Sequence, residues 1–165
     1  VHAVCLFPNL EAALCFDSYV YGKLIRFPNN EAIFGKQQIY NEQDQVCGTE
    51  PNLLINATEI SFDGLWELVR SYGGVMFPAH VDKTANSLIA NLGFIPPDSR
   101  FRTAEVKDLK KLHQLQKDNP YLDKCRIISN SDAHYLEHMN EPELTLQVEE
   151  KTVQGIIDAL LDGAG

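Results

Sequence analysis

The sequence predicts an α/β fold with mainly parallel strands and one small β-hairpin. Three observations carry that expectation. Short apolar, β-branched runs alternate with segments whose apolar residues recur at helical spacing. Clusters of Gly, Pro and Asn separate them, as in Phe27-Pro28-Asn29-Asn30 and Gly73-Gly74. Two strand-like runs, 75–77 and 126–129, lead into residues with chemistry to offer: His80 after the first, Asp132 and His134 after the second. In sheets built of βα units, reacting groups sit at the carboxyl ends of strands.

Taken in order, the apolar run 1–7 reads as a strand closed by Pro8 and Asn9. Residues 10–25 place Leu10, Ala13, Leu14, Tyr19, Tyr21, Leu24 and Ile25 at mostly helical spacing. Residues 37–40 and 44–47 flank Asn41-Glu42-Gln43 as a small hairpin, with Gly48 after it. Leu53-Leu54-Ile55 suggests one helical turn. Ser61 is a candidate N-cap for the next helix, and Asp63 suits the positive end of its dipole. Gly73 and Gly74 end that helix, and a strand follows at 75–77. Residues 87–92 form a short apolar helix closed by Gly93, and 104–106 a short strand. Residues 107–117 form a polar helix with Leu109, Leu112 and Leu115 as its inner stripe. Strands at 126–129 and 144–148 and a last helix at 152–161 complete the chain.

The 165 residues suit one domain, and a hydrophobic fraction of 44% is enough for a core. The net charge of −9, with no run of Lys and Arg, argues against a nucleic-acid or anionic-membrane surface. A phosphate ester remains compatible, because bound cations reverse the local charge. Cys5, Cys15, Cys47 and Cys125 form no CxxC pair and are expected as reduced thiols of a cytoplasmic protein. Asn56-Ala57-Thr58 matches a glycosylation sequon by chance. No apolar run approaches the ~20 residues of a membrane span, and no signal peptide is visible. Val1 opens directly into an apolar strand, so the chain is expected to be a piece of a longer protein.

Asp132 and His134, two apart just past a strand end, are candidate metal ligands or a catalytic acid/base pair. Gly73-Gly74-Val75-Met76-Phe77-Pro78-Ala79-His80-Val81-Asp82 repeats that layout. With both strand ends in hand, the chain resembles the PHP domain family, the polymerase and histidinol phosphatase family, in a stand-alone bacterial branch. Pro78-Ala79-His80-Val81-Asp82 and Ser131-Asp132-Ala133-His134 carry the resemblance. The blocks 1–8 and Gly93-Phe94-Ile95-Pro96-Pro97 fit it too.

The resemblance implies a distorted βα barrel holding two or three divalent metal ions, typically zinc, manganese or iron. It implies hydrolysis of a small-molecule phosphate ester. His80, Asp132 and His134 match family ligand positions, and His2 matches the His on the strand after the family's ligand Glu. The family's opening His-x-His strand and that Glu are absent here. The chain is therefore expected to be the C-terminal portion of such a domain, an incomplete barrel, with part of the ligand set missing and the fragment alone inactive.

Imidazole and carboxylate together suit zinc, manganese or iron. Divalent metals neutralise a phosphate ester's charge and lower the pKa of bound water to ~7. Asp82 and Lys83 either face the substrate or are surface charges of a turn. Asn130 either bonds a metal-bound water or caps its loop. His113 is expected in solvent, His138 on a loop or helix surface, and Trp66 in the core. Two other functions stay open: a structural or regulatory PHP module without catalysis, and a C–N hydrolase of the amidohydrolase type. The latter expects a bridging Lys after a strand, a place that neither Lys83 nor Lys124 fills convincingly. Apolar strand edges of an incomplete barrel would favour a homo-oligomer.

Overall fold

The computed structural model describes residues 1–142 and 144–163. In chain order the elements are β1 (Ala3–Leu6), α1 (Leu10–Lys23), α2 (Glu31–Phe34), β2 (Gln38–Tyr40), β3 (Val46–Thr49), α3 (Phe62–Ser71), β4 (Val75–Pro78), α4 (Leu88–Leu92), β5 (Thr103–Glu105), α5 (Leu112–Asp118), β6 (Arg126–Ile128) and α6 (Val153–Asp162). Short 3-10 turns lie at Leu109–Lys111, Pro120–Lys124 and Leu136–His138. The chain is mixed α/β. It divides into two compact units, Val1–Leu14 with Phe62–Gly165, and Cys15–Ser61. Among the described residues no helix is long and apolar enough to cross a membrane.

The first unit holds two strand pairs. β1 runs antiparallel to β4, with Ala3 opposite Pro78 and Leu6 opposite Val75. β5 runs parallel to β6, with Thr103 opposite Arg126 and Glu105 opposite Ile128. The Val81 N–H donates to the Glu105 carbonyl at 2.8 Å, which places the end of β4 beside the end of β5. Val75 and Phe77 of β4 pack on Ile157 and Leu160 of α6, all at most 3% exposed, with Val4 and Ile128 against them. Each such side chain contributes about 1.5–3 kcal/mol by leaving water. A second apolar group forms where Phe101 meets Tyr121 edge-on, centroids 5.1 Å apart, and the Tyr121 hydroxyl donates to the Phe101 carbonyl at 2.8 Å.

The second unit is built on the hairpin β2–β3. Its turn is held by Asn41, whose side-chain oxygen accepts from the N–H groups of Gln43 (3.0 Å) and Gln45 (2.9 Å). The Gln37 side-chain amide donates to the carbonyls of Glu50 (3.1 Å) and Asn52 (2.7 Å).

Several expectations change. Of the three strand pairs among the described residues, only β5–β6 is parallel. Parallel neighbours need a crossover of about a dozen residues or more, and the segment with α5 supplies one between β5 and β6. The longer connection of residues 7–74 leaves either direction open to β1 and β4. Among the described residues every sheet has two strands and none closes. Residues 144–148, expected as a strand, run without regular structure. Leu146 and Val148 are half-buried with exposed Gln147 between them, so alternation is present over 146–148 without a ladder, and Leu144, on the same parity, is 44% exposed. Leu53-Leu54-Ile55 forms a turn, not a helix. The polar helix of 107–117 is split: Asp108 caps a 3-10 turn by accepting from the Lys110 N–H, and α5 follows. The four-residue α2 went unexpected, although Asn30 caps it by accepting from the Ala32 N–H.

Candidate functional site

β1 begins, and β4, β5 and β6 end, on one rim of the first unit. Antiparallel pairing creates the first contact. Because Ala3 lies opposite Pro78, the ladder continues from the Ala79 N–H to the His2 carbonyl at 3.1 Å. His2 Nδ1 therefore sits 3.3 Å from His80 Nε2, one nitrogen donating and the other accepting. The rings meet edge-on with centroids 5.3 Å apart. His80 is 5% exposed, and its Nδ1 is buried without a hydrogen-bond partner. His2 is exposed as a residue. Partial burial of its imidazole, followed by the neighbouring His80 ring, holds its pKa below the ordinary histidine value. The neutral ring is the form that binds metal.

Asp132 lies within electrostatic reach of both imidazoles. Its carboxylate is ion-paired with the Lys83 ammonium. That hydrogen bond, above all, holds Asp132 below the usual carboxylate range. Two of these residues also carry an uncommon backbone: His80 has φ 33° and Asp132 φ 49°. Left-handed conformations in residues other than Gly cost of order 1–3 kcal/mol and cluster at functional sites.

The remaining candidates divide. His134 is exposed, and its Nδ1 lies 3.1 Å from the Asp132 carbonyl. Donation from Nδ1 to that carbonyl leaves the lone pair on Nε2, the arrangement a ligating His adopts. Both Asp82 carboxylate oxygens accept backbone N–H groups, from Lys107 (2.8 Å) and Asp108 (2.9 Å), so Asp82 ties its turn to the next loop. Lys83 faces Asp132. Asn130 donates its amide to Glu105 Oε1 at 2.7 Å. His113 and His138 are exposed, and Trp66 is half-buried.

Glu105 is the residue that sequence pattern missed. It ends β5 at 5% exposure and accepts from the His80 N–H with Oε2 at 2.9 Å. The available signal was an acid inside the apolar run Ala104-Glu105-Val106.

In kind, these donors fit a transition metal. Two nitrogens bound to one tetrahedral zinc at ~2.0–2.1 Å stand about 3.3 Å apart, the spacing of the His2–His80 pair. The Nδ1 of His80 lacks the hydrogen-bond partner that the second nitrogen of a ligating imidazole ordinarily has. In number they fall short: among the described residues, no group of three or more His, Cys, Asp or Glu is arranged to hold a metal ion. No family model, curated protein or solved structure matches the chain.

Proposed function

We propose that this rim is part of a metal-dependent phosphoesterase centre of the PHP kind, carried on a distorted βα barrel to which the chain contributes one portion. The observation that carries the proposal is the His2–His80 pair, nitrogens 3.3 Å apart, with Asp132 within electrostatic reach. His2, His80, Asp132 and His134 would hold zinc, manganese or iron, with further ligands supplied from elsewhere in the protein. The bound ions would neutralise the phosphate's charge and activate water. The chain's own residues do the positioning. His80 is fixed by burial and Asp132 by its ion pair with Lys83, whose ammonium would be available to a phosphate oxygen if metal displaced it from Asp132.

The experiment is hydrolysis of p-nitrophenyl phosphate by the complete gene product with manganese, comparing wild type with Asp132→Asn. Metal-dependent turnover that falls by about 10²-fold or more in the variant supports the proposal. Equal turnover in the variant contradicts it. One observation favours a second reading, a non-catalytic PHP module: Lys83 already neutralises Asp132. Manganese binding without turnover on a panel of phosphate mono- and diesters would favour that module.

A further inference from the structure

We infer that Glu105 is a positioning residue whose carboxylate ties the end of β4, which carries His80, to the loop after β6, which carries Asp132 and His134. The effect on metal affinity rests on the proposed reading of the rim; the tie itself does not.

Acids are almost never fully buried unless paired. Glu105 is 5% exposed, yet among the described residues it forms no salt bridge. Its partners are neutral donors on two different strand ends. Oε2 accepts the His80 backbone N–H at 2.9 Å and Oε1 accepts the Asn130 side-chain amide at 2.7 Å. The Glu105 carbonyl accepts the Val81 N–H at 2.8 Å, so one residue holds two successive amides of the β4 exit.

The geometry explains why an acid stands here. A carboxylate offers two acceptor oxygens diverging from one planar group, enough to face both loops at once. Both hydrogen bonds join β5 to a neighbouring strand end. One of them falls on His80, whose φ of 33° needs support from its surroundings. Without the tie, the left-handed turn at His80 has less to hold it, and the Asn130 loop loses its anchor on β5. Groups that orient metal ligands in this way change affinity by about 10–100-fold when removed.

The test joins amide hydrogen exchange by NMR to manganese titration by calorimetry, on wild type, Glu105→Met, Glu105→Gln and Asn130→Ala. Met fills similar space with no acceptor. Gln keeps an acceptor for His80 and, once the Asn130 amide turns over, a bond to that side chain. Exchange of the His80 amide in Glu105→Met should rise about tenfold or more, with amides in mid-β4 and α6 unchanged. Manganese affinity should fall about 10–100-fold. Glu105→Gln should stay within about threefold of wild type on both readouts, a rescue that a charge requirement would not give. Unchanged exchange at His80 in Glu105→Met would overturn the inference, as would a Gln variant as impaired as Met. Should Glu105→Met fail to fold, Asn130→Ala cuts one arm on an exposed side chain. His80 exchange should then rise about threefold as the carboxylate is freed, and no change overturns the tie. If wild type binds no manganese, the metal reading fails, and His80 exchange still decides the role of Glu105.

Discussion

Lys83 and Asp132 show how much a single pair decides. The ion pair is partly exposed, with side chains 37% and 22% accessible, so its removal should cost stability no more than about 1 kcal/mol. Its larger effect is on the carboxylate, which Lys83 shields from any incoming cation. Lys83→Met is therefore expected to leave the melting temperature nearly unchanged and to tighten manganese binding. Weaker binding would show that Lys83 does not compete for Asp132. The cysteines give a second residue-scale prediction. Burial pushes the Cys125 thiol up to about 12 and the Cys5 thiol up to about 11. Raised values mean that both remain protonated, and hence unreactive, at pH 8. Cys15 and Cys47 are exposed. An aromatic disulfide reagent at pH 8 should titrate Cys15 and Cys47 quickly and the other two only after unfolding. Four equally fast thiols would contradict this. The placement of His80, Asp132 and His134 just past strand ends was legible because each follows an apolar run. Glu105 was not, because an acid in a short strand sets no period. Nor does a sequence tell which way a turn side chain points, and Asp82 points at the backbone of 107 and 108.

Among the elements, the antiparallel start of β1 matters most for the site. Parallel pairing would have put His2 at the opposite end of β4 from His80. The alternation of strands and helices in the sequence could not reveal this, since the long connection through the second unit leaves either direction open. The existence of β1, β4, β5 and β6 was legible from β-branched runs, and their ends were placed to within a few residues. The run 144–148 shows the limit of pattern, because alternation describes half-burial and a strand also needs a partner edge. The entry to β4 depends on a glycine. A Cβ at Gly74 would lie 2.5 Å from the Leu6 carbonyl, 2.8 Å from Phe7 and 2.9 Å from Val69. Gly74→Ala is thus expected to destabilise by about 1–3 kcal/mol through overpacking of the new methyl against the Leu6 carbonyl and two side chains, read as a lower urea midpoint. A neutral result would mean that the β1–β4 pair shifts freely, and the His2–His80 spacing would then lose its significance.

Across the whole molecule, apolar burial is uneven. In the second unit, Phe16 and Leu53 are the buried hydrophobic residues among those described, while Phe27, Ile33, Phe34 and Ile55 are at least 50% exposed. In the first unit, Val69, Val75, Val81, Leu88 and Leu122 are fully buried. Few buried contacts mean low local stability, so amides of β2 and β3 are expected to exchange faster than those of β4 and β5 by an order of magnitude or more. Equal protection would indicate cooperative opening of both units. The α/β class was legible from composition and period, but the division into two units was not, because residues 15–61 carry apolar side chains as frequent as elsewhere. The claim on which the functional account turns is that the His2–His80 pair and Asp132 bind a divalent metal. A calorimetric manganese titration of the complete gene product, with His80→Ala alongside, tests it most directly. Binding in the micromolar range that the substitution abolishes is the predicted result. Undiminished binding by His80→Ala, or no binding by either protein, would contradict it.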